Sequence, residues 1–320
     1  MRKKAMEVLV LLVSSIMLIG CTGGKGEVQK AKQCEGITQP EVLYMGDNLS
    51  YVQNYELDEA GGRTLYQWKE SGWDKVCEMQ ENGSYWIEPE TGDIYYYSSN
   101  ENTPGIWKWN QEKASAEQIS TEAIGGLFLI DKTVYASKIA AADSDMVEIL
   151  QQDANGSFVS WSEVGTDKAD DYVLTNLTEW NGHLLATTTY ALYESSDQGL
   201  NWTTIYTDKE TIGPLVCTKD KVYFAANLME GWCEYNGEAV TEERFPQDNA
   251  EIANSIIEQS ILTADGSRWI LKIYNEDTQE SRLVVYDVSA EAMDAPETMV
   301  SMEDTDKTIG YKDGIYYVCQ

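Results

Sequence analysis

Histidine is nearly absent from the chain, since His183 is the only one among 320 residues. A metal site built from several histidines is therefore excluded, although a Ser-His-Asp triad would need only one. His183 follows Asn181 and Gly182 in a turn, so we expect a surface histidine. The six cysteines show no Cys-x-x-Cys spacing, which argues against a zinc site. We predict no metal and no cofactor.

Basic residues are scarce too, with 23 lysines and arginines against 54 aspartates and glutamates and a formal net charge of −31. A field of this sign repels nucleic-acid phosphates and anionic headgroups, so we exclude nucleic acid as a partner. The charge does not indicate disorder, because 42% of the residues are hydrophobic and 20 Tyr and 10 Trp can fill a core.

The apolar run near the N-terminus, Val8 to Ile19, is shorter than the roughly 20 residues that a membrane-spanning helix needs. It follows three basic residues and ends at Leu18-Ile19-Gly20-Cys21, which resembles the lipobox of bacterial lipoprotein signal peptides. The resemblance implies cleavage before Cys21, a lipid on its thiol, and anchoring on the extracytoplasmic face of a bacterial cell membrane. An uncleaved anchor is the alternative.

Three regions follow from this interpretation. Residues 1–20 are the predicted signal peptide, and residues 21–40 are a lipid-anchored tether that contains Gly23, Gly24 and Gly26. The second half of the tether, Val28 to Ile37, could still add a strand. Residues 41–320 form one predicted domain, because no boundary interrupts their pattern.

Residues 41–320 repeat a short strand, a turn of Gly, Asp, Asn or Lys, and a second strand that opens with an aliphatic residue. The first residues after the seven turns lie 38 to 50 residues apart, namely at Leu49, Ile94, Val134, Leu184, Val222, Arg268 and Ile315. A four-stranded propeller blade has about 40 to 50 residues. The sequence therefore predicts an all-β propeller with four-stranded antiparallel blades.

The seventh repeat is cut short, because only two strands fit between Thr308 and the end of the chain. An open sheet edge promotes aggregation, and closing the ring with strands from both termini removes it. We therefore predict seven blades, with the last one completed by the N-terminal segment, and six blades as the alternative.

One hairpin, Tyr190 to Tyr206, carries a motif. Its turn reads Ser195-x-Asp197-x-Gly199-x-x-Trp202 and resembles the Asp-box of the BNR-repeat and sialidase propellers. The resemblance implies a structural role between the third and fourth strands of a blade, with Asp197 bonding the turn and Trp202 packing beneath it. The broader repeat is similar to WD40 and YVTN propellers.

The sialidase resemblance also raises the question of catalysis. That family holds the substrate carboxylate with three arginines, but only Arg63, Arg244, Arg268 and Arg282 follow the signal peptide, and the family's Arg-Ile-Pro motif is missing. Another glycosidase needs only two carboxylates, which 54 acidic residues supply by chance. We predict no catalytic residues and a non-enzymatic module that binds a glycan or a protein, or assembles with one. A carbohydrate-active enzyme is the alternative.

The cysteines and the acidic clusters leave choices open. Cys34 and Cys319 could pair when the ring closes, or five isolated thiols remain once Cys21 is lipidated. Cys217 and Cys233 fall on the first and third strands of one blade, too far apart for a disulfide. Three acidic clusters predict solvated loops, with weak Ca²⁺ binding as the alternative; they are Asp143–Asp145, Asp167–Asp171 and Asp304–Asp306.

Tryptophans recur at matching third-strand positions, namely Trp68, Trp107, Trp109 and Trp232. Equivalent positions in successive blades favour packing between blades over a ligand platform.

Overall fold

A computed structural model gives the fold. It describes residues 27–30, 37, 39–47, 49–55, 62–69, 72–79, 83–100, 102–139, 144–166, 173–288, 296–303, 305–312 and 315–319. Cys21, Cys34 and the signal peptide lie outside these residues. The part of the chain that the structure describes has no helix long and apolar enough to span a bilayer.

Six sheets of four antiparallel strands form blades 1 to 6 of a seven-bladed β-propeller. Blade 1 has β2 (Pro40–Gly46), β3 (Leu49–Tyr55), β4 (Arg63–Lys69) and β5 (Gly72–Met79); blade 2 has β6 (Gly83–Ile87), β7 (Ile94–Ser98), β8 (Gly105–Asn110) and β9 (Ser115–Ser120); blade 3 has β10 (Ile124–Ile130), β11 (Thr133–Lys138), β12 (Met146–Gln152) and β13 (Phe158–Gly165). Blade 4 has β14 (Leu174–Trp180), β15 (His183–Thr188), β16 (Ala191–Ser195) and β17 (Thr203–Thr207); blade 5 has β18 (Val216–Cys217), β19 (Val222–Phe224), β20 (Gly231–Tyr235) and β21 (Val240–Arg244); blade 6 has β22 (Ser255–Leu262), β23 (Arg268–Asn275), β24 (Glu280–Asp287) and β25 (Thr298–Met302).

Blade 7 joins the two ends of the chain. Its described strands are β26 (Lys307–Lys312), β27 (Ile315–Cys319) and β1 (Glu27–Lys30), in the order β1-β27-β26. The pairing of β1 with β27 is parallel, whereas β26 and β27 are antiparallel. Seven blades and closure by the N-terminal segment are thereby confirmed, and the six-bladed alternative is wrong. Five described residues of the predicted tether lie in strands of the propeller, namely the four of β1 and Pro40, which begins β2. β1 covers the edge of β27 that would otherwise be open.

The first strand of each blade lines a central channel, and these strands run in the same direction. The ends of β2 and β26 meet in a parallel bridge between Asp47 and Tyr311, next to the turns that follow both strands. The turns between the first and second strands of the blades lie on one face of the ring, which we call the turn face. The face on which the first strands begin is the mouth face.

Five first strands carry a β-bulge near their beginning, at the mouth-face end. The register shifts lie between Val42 and Tyr44, Ile124 and Gly126, Leu174 and Asn176, Ile257 and Gln259, and Thr308 and Gly310. A bulge adds one residue to one strand, breaks the alternation of side chains and re-aims them. The bulges therefore determine which side chains face the channel mouth.

The core consists of apolar clusters between neighbouring blades. Trp68 of blade 1 is fully buried and packs on Tyr317 of blade 7, with ring centroids 4.6 Å apart. Trp232 of blade 5 packs edge-on against Tyr286 of blade 6. The half-buried Trp107 and Trp109 contact the cluster that joins blades 1 and 2. Packing between blades is thus confirmed for the third-strand tryptophans.

The cysteines divide into two groups. Cys77, Cys217 and Cys233 are free, which confirms that Cys217 and Cys233 do not pair. Cys319 is disulfide-bonded, so the alternative of five isolated thiols is wrong. The predicted partner, Cys34, lies outside the described residues. Burial raises the pKa of Cys217 to about 11, and that of Cys233 to about 12, because an apolar environment disfavours the thiolate.

Candidate functional site: the channel mouth

Two neighbouring cavities of about 790 and 780 Å³ lie along the central channel in the described part of the chain. The first lies at the mouth face, where the beginnings of β2 and β26 meet β22 and β23. The second follows the inner strands of several blades through the ring. Glu41, Val42, Ser260 and Ile261 line both cavities, so a ligand at the mouth could extend into the channel.

Two lysines line the cavity at the mouth. Lys272 lies in β23 opposite Gln259, and only 7% of its side chain is exposed. Its Nζ lies 2.9 Å from Oε2 of Glu258, the extra residue of the β22 bulge. A buried ammonium needs such a partner, because an unpaired charge in the interior is very costly. The bulge thus supplies the carboxylate that pairs with Lys272 inside the ring.

Lys307 differs from Lys272, because it is exposed at the beginning of β26. No ion pair joins it to another of the described residues. In a chain with a net charge of −31, it places a positive charge at the rim of this cavity, which Glu41 and Glu258 also line. Lys307 is thus the lysine of this cavity that can pair with an anionic group on a ligand.

Glu41, the second carboxylate of the mouth, is held by neighbours in blade 1. Nε2 of Gln53 donates a hydrogen bond of 2.6 Å to its Oε2, and an Nη1 of Arg63 lies 4.0 Å from the same atom. Arg63 also donates to Oγ of Ser84 in blade 2, at 3.0 Å. The carboxylate of Glu41 thus contacts Gln53 and Arg63, and the carboxylate of Glu258 contacts Lys272.

Aromatic and hydroxyl side chains line the deeper channel, among them Tyr44, Tyr85, Trp86, Tyr97, Phe128 and Thr178. Burial raises the pKa of Tyr97, so its hydroxyl stays protonated. Nδ2 of Asn176 donates to Oγ1 of Thr187 at 2.7 Å and to the Gly213 carbonyl at 3.2 Å, which fixes the wall between blades 4 and 5. Aromatic faces beside polar groups suit a ligand that has both apolar and polar surfaces.

The Asp-box residues lie on the opposite face, in the turn between β16 and β17. Oδ1 of Asp197 accepts hydrogen bonds from Oγ of Ser195 at 2.8 Å and from the Asn201 backbone N–H at 2.9 Å. The Gly199 N–H donates to Oγ of Ser195 at 2.8 Å, and Gly199 has a φ of 86°, a conformation that glycine adopts without strain. The turn is thus held by its own side chains.

Trp202 is half-buried and reaches the neighbouring blade. Its indole N–H donates to Oγ of Ser162 in β13 at 3.0 Å, and Ser162 in turn donates to the Gly199 carbonyl. The indole packs against the cluster between blades 3 and 4. Trp202 therefore joins two blades through Ser162, a role that the sequence did not indicate for Ser162. None of the four motif residues lines either channel cavity.

The histidine and the arginines that the sequence offered as candidates each lie close to a carboxylate of the protein. Nδ1 of His183 lies 2.8 Å from Oε1 of Glu194 at the surface. The four arginines lie on four different strands, each within 4.0 Å of a carboxylate; the pairs are Arg63–Glu41, Arg244–Glu230, Arg268–Glu297 and Arg282–Glu280. Among the described residues, no group of three or more His, Cys, Asp or Glu side chains could hold a metal ion.

The acidic clusters are only partly described, because Asp143, Asp167–Asp171 and Asp304 lie outside the described residues. Asp306 is buried, so the expectation of a solvated loop is wrong there. Its Oδ2 accepts the Glu303 N–H at 3.1 Å, and Nζ of Lys30 lies 3.8 Å from its Oδ1. The buried carboxylate thus contacts both Lys30 of β1 and the backbone of Glu303.

Asp197→Asn tests the role of this carboxylate in the turn. Hydrogen bonds from the side chain and backbone of Asn201 lower the pKa of Asp197 below its usual 3.8. A lowered pKa stabilises the fold above pH 3.8, and this stabilisation disappears as the pH falls through the pKa of the folded state. The variant should therefore melt below the wild type at pH 7, and the difference should vanish in acid. A Gln198→Ala control should melt like the wild type at both pH values, and a difference for Asp197→Asn that persists in acid would contradict the assignment.

Comparisons with known proteins give the fold. No protein-family model and no curated protein matches the sequence. The chain is similar to a quinonprotein alcohol dehydrogenase-like protein from Bacteroides thetaiotaomicron, with a TM-score of 0.53 and 11% identity over 85% of this chain and 68% of that one. It is also similar to the β-propeller domain of the trilobed protease from Pyrococcus furiosus, with a TM-score of 0.52 and 11% identity over 85% and 89% of the two chains.

A third similar structure is the extracellular domain of a hybrid two-component system from B. thetaiotaomicron, with a TM-score of 0.53 and 11% identity over 88% of this chain and 41% of that one. At such identities the likeness concerns architecture alone, because propellers carry many unrelated functions. The chain is a seven-bladed β-propeller.

Proposed function

We propose that this chain is an extracytoplasmic β-propeller, anchored to a bacterial cell membrane through lipid on Cys21, that binds a ligand or assembles with a partner protein at its channel mouth without catalysing a reaction. The lipobox supports the anchor. Ser195, Asp197, Gly199 and Trp202 support kinship with the BNR/Asp-box propellers, in which such turns are structural.

The channel mouth is the observation that carries the proposal. Lys307 offers a positive charge at the rim, and Gln39, Gln259 and Ser260 offer amide and hydroxyl groups in the same cavity. The aromatic side chains of the deeper channel provide faces on which a sugar ring or an apolar group can pack. A small ligand with a carboxylate, such as an acidic sugar, fits this combination.

A carbohydrate-active enzyme is the second candidate, because Glu41 and Glu258 line the same cavity. Glycoside hydrolysis requires one carboxyl group to donate a proton and the other to act as base or nucleophile. Here Glu258 pairs with Lys272, and Glu41 accepts from Gln53. Neighbouring side chains of the protein thus already contact both carboxyl groups, which favours binding over catalysis.

Titration with D-glucuronate and D-glucose tests the proposal, because the two sugars differ only at C6. Glucuronate has a carboxylate there, and glucose has a hydroxymethyl group. We expect the wild type to prefer glucuronate by about tenfold, a typical contribution from one charged contact. The Lys307→Gln variant should lose this preference, whereas Lys209→Gln, an exposed lysine outside the cavity, should keep it. Equal affinity of the wild type for both sugars would contradict the proposal.

A panel of fluorogenic glycosides separates the two candidates. We expect no hydrolysis above background. Hydrolysis that disappears in both Glu41→Gln and Glu258→Gln would instead assign an enzyme to the mouth.

A further inference from the structure

The chain enters the propeller at a defined face, which the register of β1 reveals. Glu27 pairs with Ile315, the first residue of β27, directly after the turn between β26 and β27. Lys30 pairs with Val318, close to the end of β27 at the mouth face. Because this pairing is parallel, β1 begins at the turn face and runs toward the mouth face.

The tether that precedes β1 is short. Only residues 22–26 separate Cys21 from Glu27. Each residue extends a chain by at most about 3.6 Å, so Glu27 can lie no more than about 20 Å from the lipid-bearing residue. The turn-face end of blade 7 must therefore stay close to the membrane.

The distance between the two faces of the ring is about equal to the maximum length of this tether. Most strands of the propeller have five to eight residues, which corresponds to about 15 to 25 Å between the two faces. For the mouth face to rest on the bilayer, the tether would have to run back along the full height of blade 7 and use all of its reach. An arrangement with the turn face nearest the bilayer requires no such extension.

We propose that the lipid anchor presents the propeller with its turn face toward the bilayer and its channel mouth toward the aqueous side. This orientation rests on the proposed lipid anchor, and it adds which surface the anchor leaves available. The mouth, with Lys307 at its rim, is then accessible to soluble ligands or to a partner protein. The turn face, which carries the Asp-box, lies next to the lipid headgroups.

Quenching of fluorophores by headgroup-labelled lipids tests the orientation. Dyes are attached through single alkyne-bearing residues in lipidated full-length protein on vesicles. Ala239 and Gln111 are exposed on the turn face, and Ala250 and Thr121 are exposed on the mouth face. The first of each pair lies in blade 5 and the second in blade 2, so each is two blades away from blade 7, where β1 enters the propeller.

We expect quenching at positions 239 and 111 to exceed that at 250 and 121 by about twofold or more, given faces about 15 to 25 Å apart. A flexible insert of about 20 residues between Gly26 and Glu27 should reduce this difference, since it lengthens the tether. Equal quenching on both faces, or stronger quenching at 250 and 121, would overturn the orientation.

Flotation of the vesicles separates this outcome from failure of the anchor. Wild-type protein should float with the vesicles, and Cys21→Ser should not. Wild-type protein that does not float removes the anchor and the orientation with it. Protein that floats and shows equal quenching on both faces overturns the orientation alone.

Discussion

Replacement of Gly310 with alanine is expected to lower the free energy of unfolding by about 1 to 3 kcal/mol, because the contact between blades 7 and 1 has no room for another carbon. Gly310 lies in β26 beneath the indole of Trp68, and an added Cβ would lie less than 3.0 Å from two atoms of that ring. The indole has little room to move away, since Trp68 is fully buried. Denaturant unfolding measures the loss.

Two further variants attribute this effect to the named contact. Gly72→Ala is the matched control, because an added Cβ meets nothing within 4 Å at that strand position, and it should leave stability nearly unchanged. Trp68→Phe removes ring atoms that Gly310→Ala would strike, so the loss caused by Gly310→Ala should shrink in that background. Additive losses in the double variant would show that the strain lies elsewhere.

Loss of the Cys319 disulfide is expected to cost about 2 to 5 kcal/mol, the range typical for a native disulfide. Cys319 ends β27, the strand that pairs with both β1 and β26. Without the cross-link, β1 still has its four-residue pairing with β27, the packing of Val28, and the ion pairs of Lys30 with Glu303 and Asp306. Cys319→Ala and reductant-treated wild type should both show a lower melting temperature.

The reductant provides its own control, because Cys319→Ala should melt at the same temperature with and without it. Peptide mapping of the non-reduced protein should join Cys319 to Cys34. A wild-type melting temperature that does not respond to reduction would contradict a contribution of this disulfide to ring closure.

The repeat was predictable from the sequence because each blade encodes it locally. Strands with period-two patterns alternate with turns such as Asn181-Gly182, and these local preferences agree with the final fold. Closure by the N-terminal segment followed from the truncated seventh repeat. The register of β1 did not, because Glu27–Lys30 contains a single apolar residue, Val28, and its partner lies at the other end of the chain.

The residues that line the mouth were not predicted, and the reason is also physical. Glu258 faces Lys272 because a bulge interrupts β22, and sequence periodicity does not reveal a bulge. One indication was present in the chain, since Lys272 interrupts the apolar run Trp269 to Ile273, where a buried charge requires a partner. Lys307 gave no such indication, because an exposed lysine at the beginning of a strand is ordinary.

We propose ligand binding at the mouth face and a structural role for the Asp-box on the turn face. The two roles predict opposite outcomes for two variants. Lys307→Gln changes an exposed charge, so it should affect binding alone. Trp202→Ala removes a half-buried indole and its bond to Ser162, so it should cost about 2 to 4 kcal/mol of stability and leave the mouth intact.

The most direct test measures melting temperature and glucuronate affinity for these two variants, with affinity determined well below the melting transition. We predict that Lys307→Gln loses affinity at an unchanged melting temperature, and that Trp202→Ala melts earlier with unchanged affinity. Loss of binding in Trp202→Ala with an unchanged melting curve, together with normal binding in Lys307→Gln, would place the ligand on the turn face and contradict the account.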